Sequence, residues 1–191
     1  MKTITFYFDF ISPYAYLAWT QIHVLAARHE CEVEPKPILF AALLDANGQK
    51  GPAEIPNKRV YTFKDTVRSA ARLGVPLAAP ASHPFNPLLA LRVASAEVDA
   101  QRSRSLVDAL FAATWVRSVD VTDAKNVEEV VQKAGLDGQR LKCLTIIDEW
   151  KAFGDIAPER AAFGEGCRRP CGQKPAAPCH RSSLPARRRR S

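Results

Sequence analysis

The tightest constraint on what this chain can fold into lies in its first thirty residues. An aromatic, β-branched run passes directly into Ser-Pro and then into a helical repeat. Residues 3–10 (TITFYFDF) alternate in part and predict a strand. Ser12-Pro13 follows, and Tyr14, Leu17, Ala18, Ile22, Leu25 and Ala26 recur at helical spacing. Ser12 is a favoured N-cap because its side-chain oxygen accepts an otherwise orphaned amide. Pro13 suits the first helical position, where no N–H is needed. The helix is expected to run to about His29. Residues 31–38 (CEVEPKPI) alternate weakly and predict a second strand, with Pro35 and Pro37 marking an edge or an early end. Strand, helix, strand opens many α/β folds.

From residue 40 to 134 the pattern turns helical. An apolar stretch from Leu39 to Leu44 leads into a loop by composition, Asp45 to Pro52. Residues 57–73 predict a helix with Val60, Phe63, Val67, Ala70 and Ala71 on one face and Gly74 as its stop. Pro76 to Pro87 is irregular, with His83 and Asn86 placed to cap the next helix. Amphipathic helices are expected over 88–99 and 103–116, with Trp115 in the core. A last helix begins at Asp123 and runs through Ala134, with Gly135 as its stop. Tyr61, Asp65 and Arg68 share a helical face, where Asp65 and Arg68 are expected to pair at the surface.

The Ser12 turn is the place to look for chemistry. In thioredoxin-like folds the Cys-Pro-x-Cys motif occupies this junction, and its first residue sits at a helix N-terminus that favours an anion. Here that residue is Ser12, and Ala15 stands where the second Cys belongs, so dithiol chemistry is excluded at this motif. A serine hydroxyl is too weak an acid for the dipole to ionise. No His or acid stands at motif spacing to take its proton, although Asp9 and the distant histidines are spatially open. The economical role is hydrogen-bond donor to the thiolate of a bound thiol. Such a thiol, with a pKa of about 8.5, is only a few per cent ionised at neutral pH. Lowering that pKa by about 2 units takes roughly 2.7 kcal/mol. One charge-assisted hydrogen bond and a helix N-terminus supply that order of energy. On position alone, a serine here is more often a plain N-cap than a functional residue.

The stretch FYFDFISPYAYLA resembles the start of the 2-hydroxychromene-2-carboxylate isomerases, bacterial relatives of the kappa-class glutathione transferases. The resemblance continues through NGQKGPAEIPNKRVYTFKDTVRSAARLGVPL and HPFNPLLALR and covers residues 3–140 or so. It implies a DsbA-like fold, a thioredoxin-like domain interrupted by an all-helical insertion. The expected division is 1–39 for the N-terminal β-α-β, 40–134 for the insertion, 135–153 for the start of the return, and 154–191 for a tail. The resemblance implies glutathione as cofactor, held at Ser12 with Pro13 and Tyr14 in the same turn. The kappa-class Asn that contacts glutathione aligns with Gln49, a departure. Lys50 and Lys58 match positive positions near a substrate carboxylate or glutathione. By default these three are a solvated loop and an exposed helix face, as is Arg59. The implied reaction is cis-trans isomerisation of a ring-opened chromene carboxylate by reversible addition of the glutathione sulfur to a conjugated enone. A kappa-like transferase, in which the adduct is the product, is the alternative within this group. A homodimer is the implied assembly.

The tail departs from that pattern. Of the 27 Lys+Arg and 20 Asp+Glu, residues 1–149 hold 17 and 17, so the whole excess of +7 falls in residues 150–191. A basic, non-catalytic protein that binds nucleic acid through its Arg run (Arg187 to Arg190) is the reading from another class. The neutral body argues against it, since a nucleic-acid footprint is normally a patch on the folded domain. Residues 154–191 show no strand or helix period, contain five prolines, and lack the family's closing Gly-Val-Pro-Thr-Phe segment. Cys167, Cys171, Cys179 and His180 fit no common zinc spacing, and no metal is expected. An odd count of 5 cysteines without a secretory pattern argues against a disulfide framework. The composition resembles an out-of-frame reading of GC-rich coding sequence. We therefore expect the family's C-terminal strands and helix to be missing or replaced, and the chain as written to be poorly stable or inactive. Resequencing the locus tests this: an uninterrupted frame with no Gly-Val-Pro segment in any other frame removes the frameshift hypothesis. The N-terminus has no signal-peptide pattern and no apolar run reaches bilayer length, so a cytoplasmic location is expected.

Overall fold

The computed structural model describes residues 2–95 and 99–135. The expected return segment beyond Gly135 and the basic tail lie outside the described residues.

Strand β1 (Lys2–Phe8) leads through a short turn into helix α1 (Pro13–Arg28), and β2 (Cys31–Pro37) returns parallel to β1. Lys2 pairs with Cys31 and Phe8 with Pro37 at the two ends of the register. Residues then alternate between the two faces. Ile4, Phe6 and Phe8 turn inward to increasing depth, while Thr3, Thr5 and Tyr7 are exposed. Cys31, Val33, Pro35 and Pro37 are half-buried on β2, and Glu32, Glu34 and Lys36 face water. Pro35 and Pro37 do not end the strand early. Among the described residues β2 has one strand neighbour, so a proline N–H is not missed on its free side.

The remaining elements are helices: α2 (Phe40–Ala46), a single 3-10 turn (Pro52–Glu54), α3 (Pro56–Leu73), α4 (Leu88–Ala94), α5 (Ala100–Trp115) and α6 (Ala124–Lys133). Their ends carry the expected signals. Gly74 closes α3 at φ 64° in the left-handed region, which glycine enters without strain. Asp123 caps α6 through its bond from the Lys125 amide. Asp99, expected at the end of a helix over 88–99, instead caps α5 through its bond from the Arg102 amide, so α5 starts at Ala100 rather than 103 and α4 covers Leu88–Ala94. The apolar stretch before Asp45 folds as α2, which also takes Asp45 and Ala46 out of the expected loop. Its first amide, Phe40 N–H, donates to buried Asp9 at 2.8 Å, a long-range bond with no local signature. No described helix is long and apolar enough to cross a membrane.

The core joins the sheet to the helices. Phe8 and Phe10 meet Phe111 of α5, with ring centroids 5.5 and 4.8 Å away, and Tyr16 and Trp19 of α1 close around the same ring. Leu91, Leu106, Leu110, Trp115 and Val127 extend this cluster through α4, α5 and α6. Burying each such side chain contributes about 1.5–3 kcal/mol.

Helix α3 corrects one expectation. Val60 and Val67, placed on its buried face from spacing, are 53% and 59% exposed, and Ala71 is exposed too. The inward residues are Thr66 and Ala70, with Phe63 half-buried. Thr66 can be buried because its hydroxyl donates to the Thr62 carbonyl at 2.7 Å, leaving no orphaned polar group. A count of apolar residues alone misses a threonine that satisfies itself.

Candidate active site

The turn before α1 is specified atom by atom. Each backbone polar group from the Phe10 carbonyl to the Ser12 carbonyl has a partner. The indole N–H of buried Trp115 donates to the Phe10 carbonyl at 2.9 Å. The Ile11 amide donates to Asp9 Oδ1 at 3.1 Å, and the Ile11 carbonyl lies 3.1 Å from His83 Nε2. The Ser12 amide donates to the Asp9 carbonyl, and the Ser12 carbonyl accepts the Tyr16 amide in the first turn of α1. Buried backbone groups demand this kind of pairing.

Ser12 caps α1 with extended backbone (φ −92°, ψ 114°), and its Oγ accepts the Ala15 amide at 3.2 Å. The hydroxyl hydrogen is left over, and no described residue takes it. Ser12 is half-buried, so a ligand can reach it. No acidic residue stands in the first turn of α1 to offset the positive helix end. Ser12 therefore combines an O–H donor that no described residue accepts with a helix N-terminus, an arrangement that suits an anion. Pro13 is buried behind it at the start of the helix.

Asp9 has no described side-chain bond to the Ser12 hydroxyl. Its two carboxyl oxygens accept the Ile11 and Phe40 amides. Burial pushes its pKa above the ordinary carboxylate range, partly offset by those backbone bonds. Tyr14 O–H donates to Asp65 Oδ2 of α3 at 2.8 Å. Burial and then that carboxylate raise the phenol pKa, so Tyr14 stays a neutral donor. The expected Asp65–Arg68 pair does not form among the described residues. Asp65 instead lies within reach of a tyrosine 51 residues away, which local spacing cannot reveal.

The other expected contacts stand apart. Gln49 and Lys50 are exposed in the loop after α2, where the Gln49 amide donates to the Leu44 carbonyl. Lys58 is exposed in the first turn of α3. No described hydrogen bond or ion pair joins these three side chains to the Ser12 turn. Asn86 accepts the Leu88 amide at 3.0 Å from one residue outside the helix boundary, while the N-cap of α4 is Pro87, which has no side-chain cap bond. His83 does not cap: it turns back to the Ile11 carbonyl. His83, Trp115 and Asp65 thus belong to the site's surroundings, and their sequence separations from it left no local signal. Two concavities among the described residues lie elsewhere, one beside His23, Arg28 and Arg104, the other beside Phe85, Thr114 and Val121.

A strand, a Ser-Pro turn capping a helix, a parallel return strand and a following run of helices are matched by one domain family. Residues 3–152 match the DsbA-like thioredoxin domain. The chain belongs to the DsbA-like thioredoxin family. Within that family it is 33% identical over 142 residues to the 2-hydroxychromene-2-carboxylate isomerase of Sphingobium xenophagum, spanning 73% of this chain and 72% of that protein. Human glutathione S-transferase kappa 1 is 22% identical over 178 residues, spanning 85% and 78% of the two chains. The solved structure of a selenomethionine 2-hydroxychromene-2-carboxylate isomerase superposes with a TM-score of 0.68 at 23% identity, covering 77% of this chain and 72% of that one. That superposition supports the DsbA-like fold. The relatives of this DsbA-like chain are thus enzymes of isomerase and transferase type.

Proposed function

We propose that this chain is a glutathione-dependent isomerase of 2-hydroxychromene-2-carboxylate-like substrates, with Ser12 donating its hydroxyl hydrogen to the glutathione thiolate. The observation that carries this reading is the unspent Ser12 hydrogen, at a capped helix N-terminus whose preceding backbone groups, from the Phe10 carbonyl to the Ser12 amide, are paired. When bound, glutathione supplies a nucleophilic sulfur that adds reversibly to a conjugated enone, so that a former double bond can rotate. The chain's own residues hold and charge that sulfur. Ser12 and the α1 N-terminus stabilise the thiolate. Pro13 and Tyr14 shape the turn, and Gln49 reaches for the peptide arms. Lys50 and Lys58 offer cationic donors for substrate carboxylates and for developing enolate charge.

Calorimetry with glutathione, on the full chain and on Ser12→Ala, tests binding. Product analysis then tests the reaction. We expect weaker binding in the variant and an isomer that carries no sulfur. A stable sulfur conjugate replaces the isomerase reading with that of a kappa-like transferase, which the kappa-class relatives support. No binding to either chain sinks the proposal.

A further inference from the structure

The site's surroundings contain one titratable side chain without an assigned purpose. His83 lies between α3 and α4, 72 residues from the carbonyl it meets. A carbonyl can only accept, so Nε2 carries the hydrogen and donates it to Ile11. In the neutral ring this leaves Nδ1 bare. Nδ1 is buried without a partner. Phe63, Phe85 and Trp115 surround the ring, with centroids 5.0, 6.2 and 6.0 Å away. The charged group that faces it is Arg59 of α3, while α5 presents the uncharged Trp115. Burial and then the Arg59 charge hold the His83 pKa below its ordinary value, against the Ile11 bond that raises it. The ring is therefore a neutral, single-purpose donor. It is held by apolar walls against the peptide that precedes Ser12.

We propose that His83 is a positioning residue of the Ser12 site: its Nε2–H locks the Ile11–Ser12 peptide and thereby sets the direction in which the Ser12 hydroxyl points. The ψ of Ile11 and the φ of Ser12 flank this peptide unit, whose Ser12 amide donates to the Asp9 carbonyl, so releasing the Ile11 carbonyl leaves that one bond to hold the unit against rotation ahead of the cap. The Trp115–Phe10 bond anchors the preceding peptide and cannot replace this constraint. The consequence for thiolate stabilisation rests on the isomerase reading above. The constraint on the turn does not.

Both levels are tested on the full chain with His83→Phe, which keeps an apolar ring, and His83→Gln, whose amide can still donate. Amide hydrogen exchange is read first. We expect the Ile11 and Ser12 amides to exchange at least tenfold faster in His83→Phe, with α5 amides unchanged and His83→Gln near wild type. Unchanged exchange at Ile11 and Ser12 overturns the proposal, as does equal loosening of α5 in both variants, which marks His83 as ordinary packing. The pKa of bound glutathione's thiol, followed by its thiolate absorbance, is read second beside Ser12→Ala. A rise of about one unit in His83→Phe, a tenfold smaller thiolate-to-thiol ratio, with recovery in His83→Gln, supports the proposal in full. If Ser12→Ala leaves that pKa unchanged, the isomerase reading fails, and the exchange result alone decides the role of His83.

Discussion

The Ser12 turn and the exposed polar residues of the loop after α2 and the start of α3 are built differently. In the turn, the backbone from Phe10 to Ser12 is fastened by Asp9, His83 and Trp115, three side chains half-buried or deeper. Gln49, Lys50 and Lys58 are exposed and have no described bond to that turn. The contrast separates two kinds of side chain. Anchors act through the fold and cost stability when lost. Exposed side chains cost the fold little, and the proposed function gives these three a role only when a ligand is bound.

The comparison breaks first at the core beneath the anchors. Phe111→Ala removes the ring against which Phe8, Phe10, Tyr16 and Trp19 pack. It should cost about 3–5 kcal/mol in urea unfolding, and a loss below about 1 kcal/mol means this core does not carry the anchored side. Ser12→Ala comes next and divides into two readouts. The lost cap should lower stability by about 1 kcal/mol, while the thiol pKa of bound glutathione rises by about 2 units, or about 2.7 kcal/mol. A stability change with no pKa change would leave Ser12 as a cap and nothing more.

The pH dependence is smaller and comes from His83, which anchors the turn, and from His23 on α1, away from it. His83 and His23 both have pKa values held below the ordinary histidine value by burial. The unfolded chain therefore takes up their protons first, and stability falls as pH drops below about 6.5. His83→Phe should flatten that decline, and an unaltered slope assigns it to other groups. The exposed side should respond least. Gln49→Ala, Lys50→Ala and Lys58→Ala should each move stability by no more than about 0.5 kcal/mol while weakening ligand binding. A large stability loss from any of them erases the contrast.

The same division explains how far the sequence could be read. Ser12, Pro13, the α1 start and the Gly74 stop were legible because capping and turn chemistry act between neighbours. The strand-helix-strand order of β1, α1 and β2 followed from short-range patterning, and the DsbA-like fold from a resemblance spread along the chain. The anchors were not legible. Trp115 reads correctly as core but gives no hint that its indole reaches Phe10, and His83 looks like a capping residue beside Pro84. Asp65 looks like half of a surface ion pair until Tyr14 is brought to it. Buried threonine misled the reading of α3, because hydropathy counts Thr66 as polar while its own turn satisfies it.

The anchors also fix when the turn can be completed. Its bonds to His83 and Trp115 span 72 and 105 residues. Contacts so distant in sequence form only after long loops have closed, and such closure slows folding. During synthesis the strand, cap and helix can exist as soon as the first forty residues emerge. A correctly held Ser12 must wait until the end of α5 has left the ribosome.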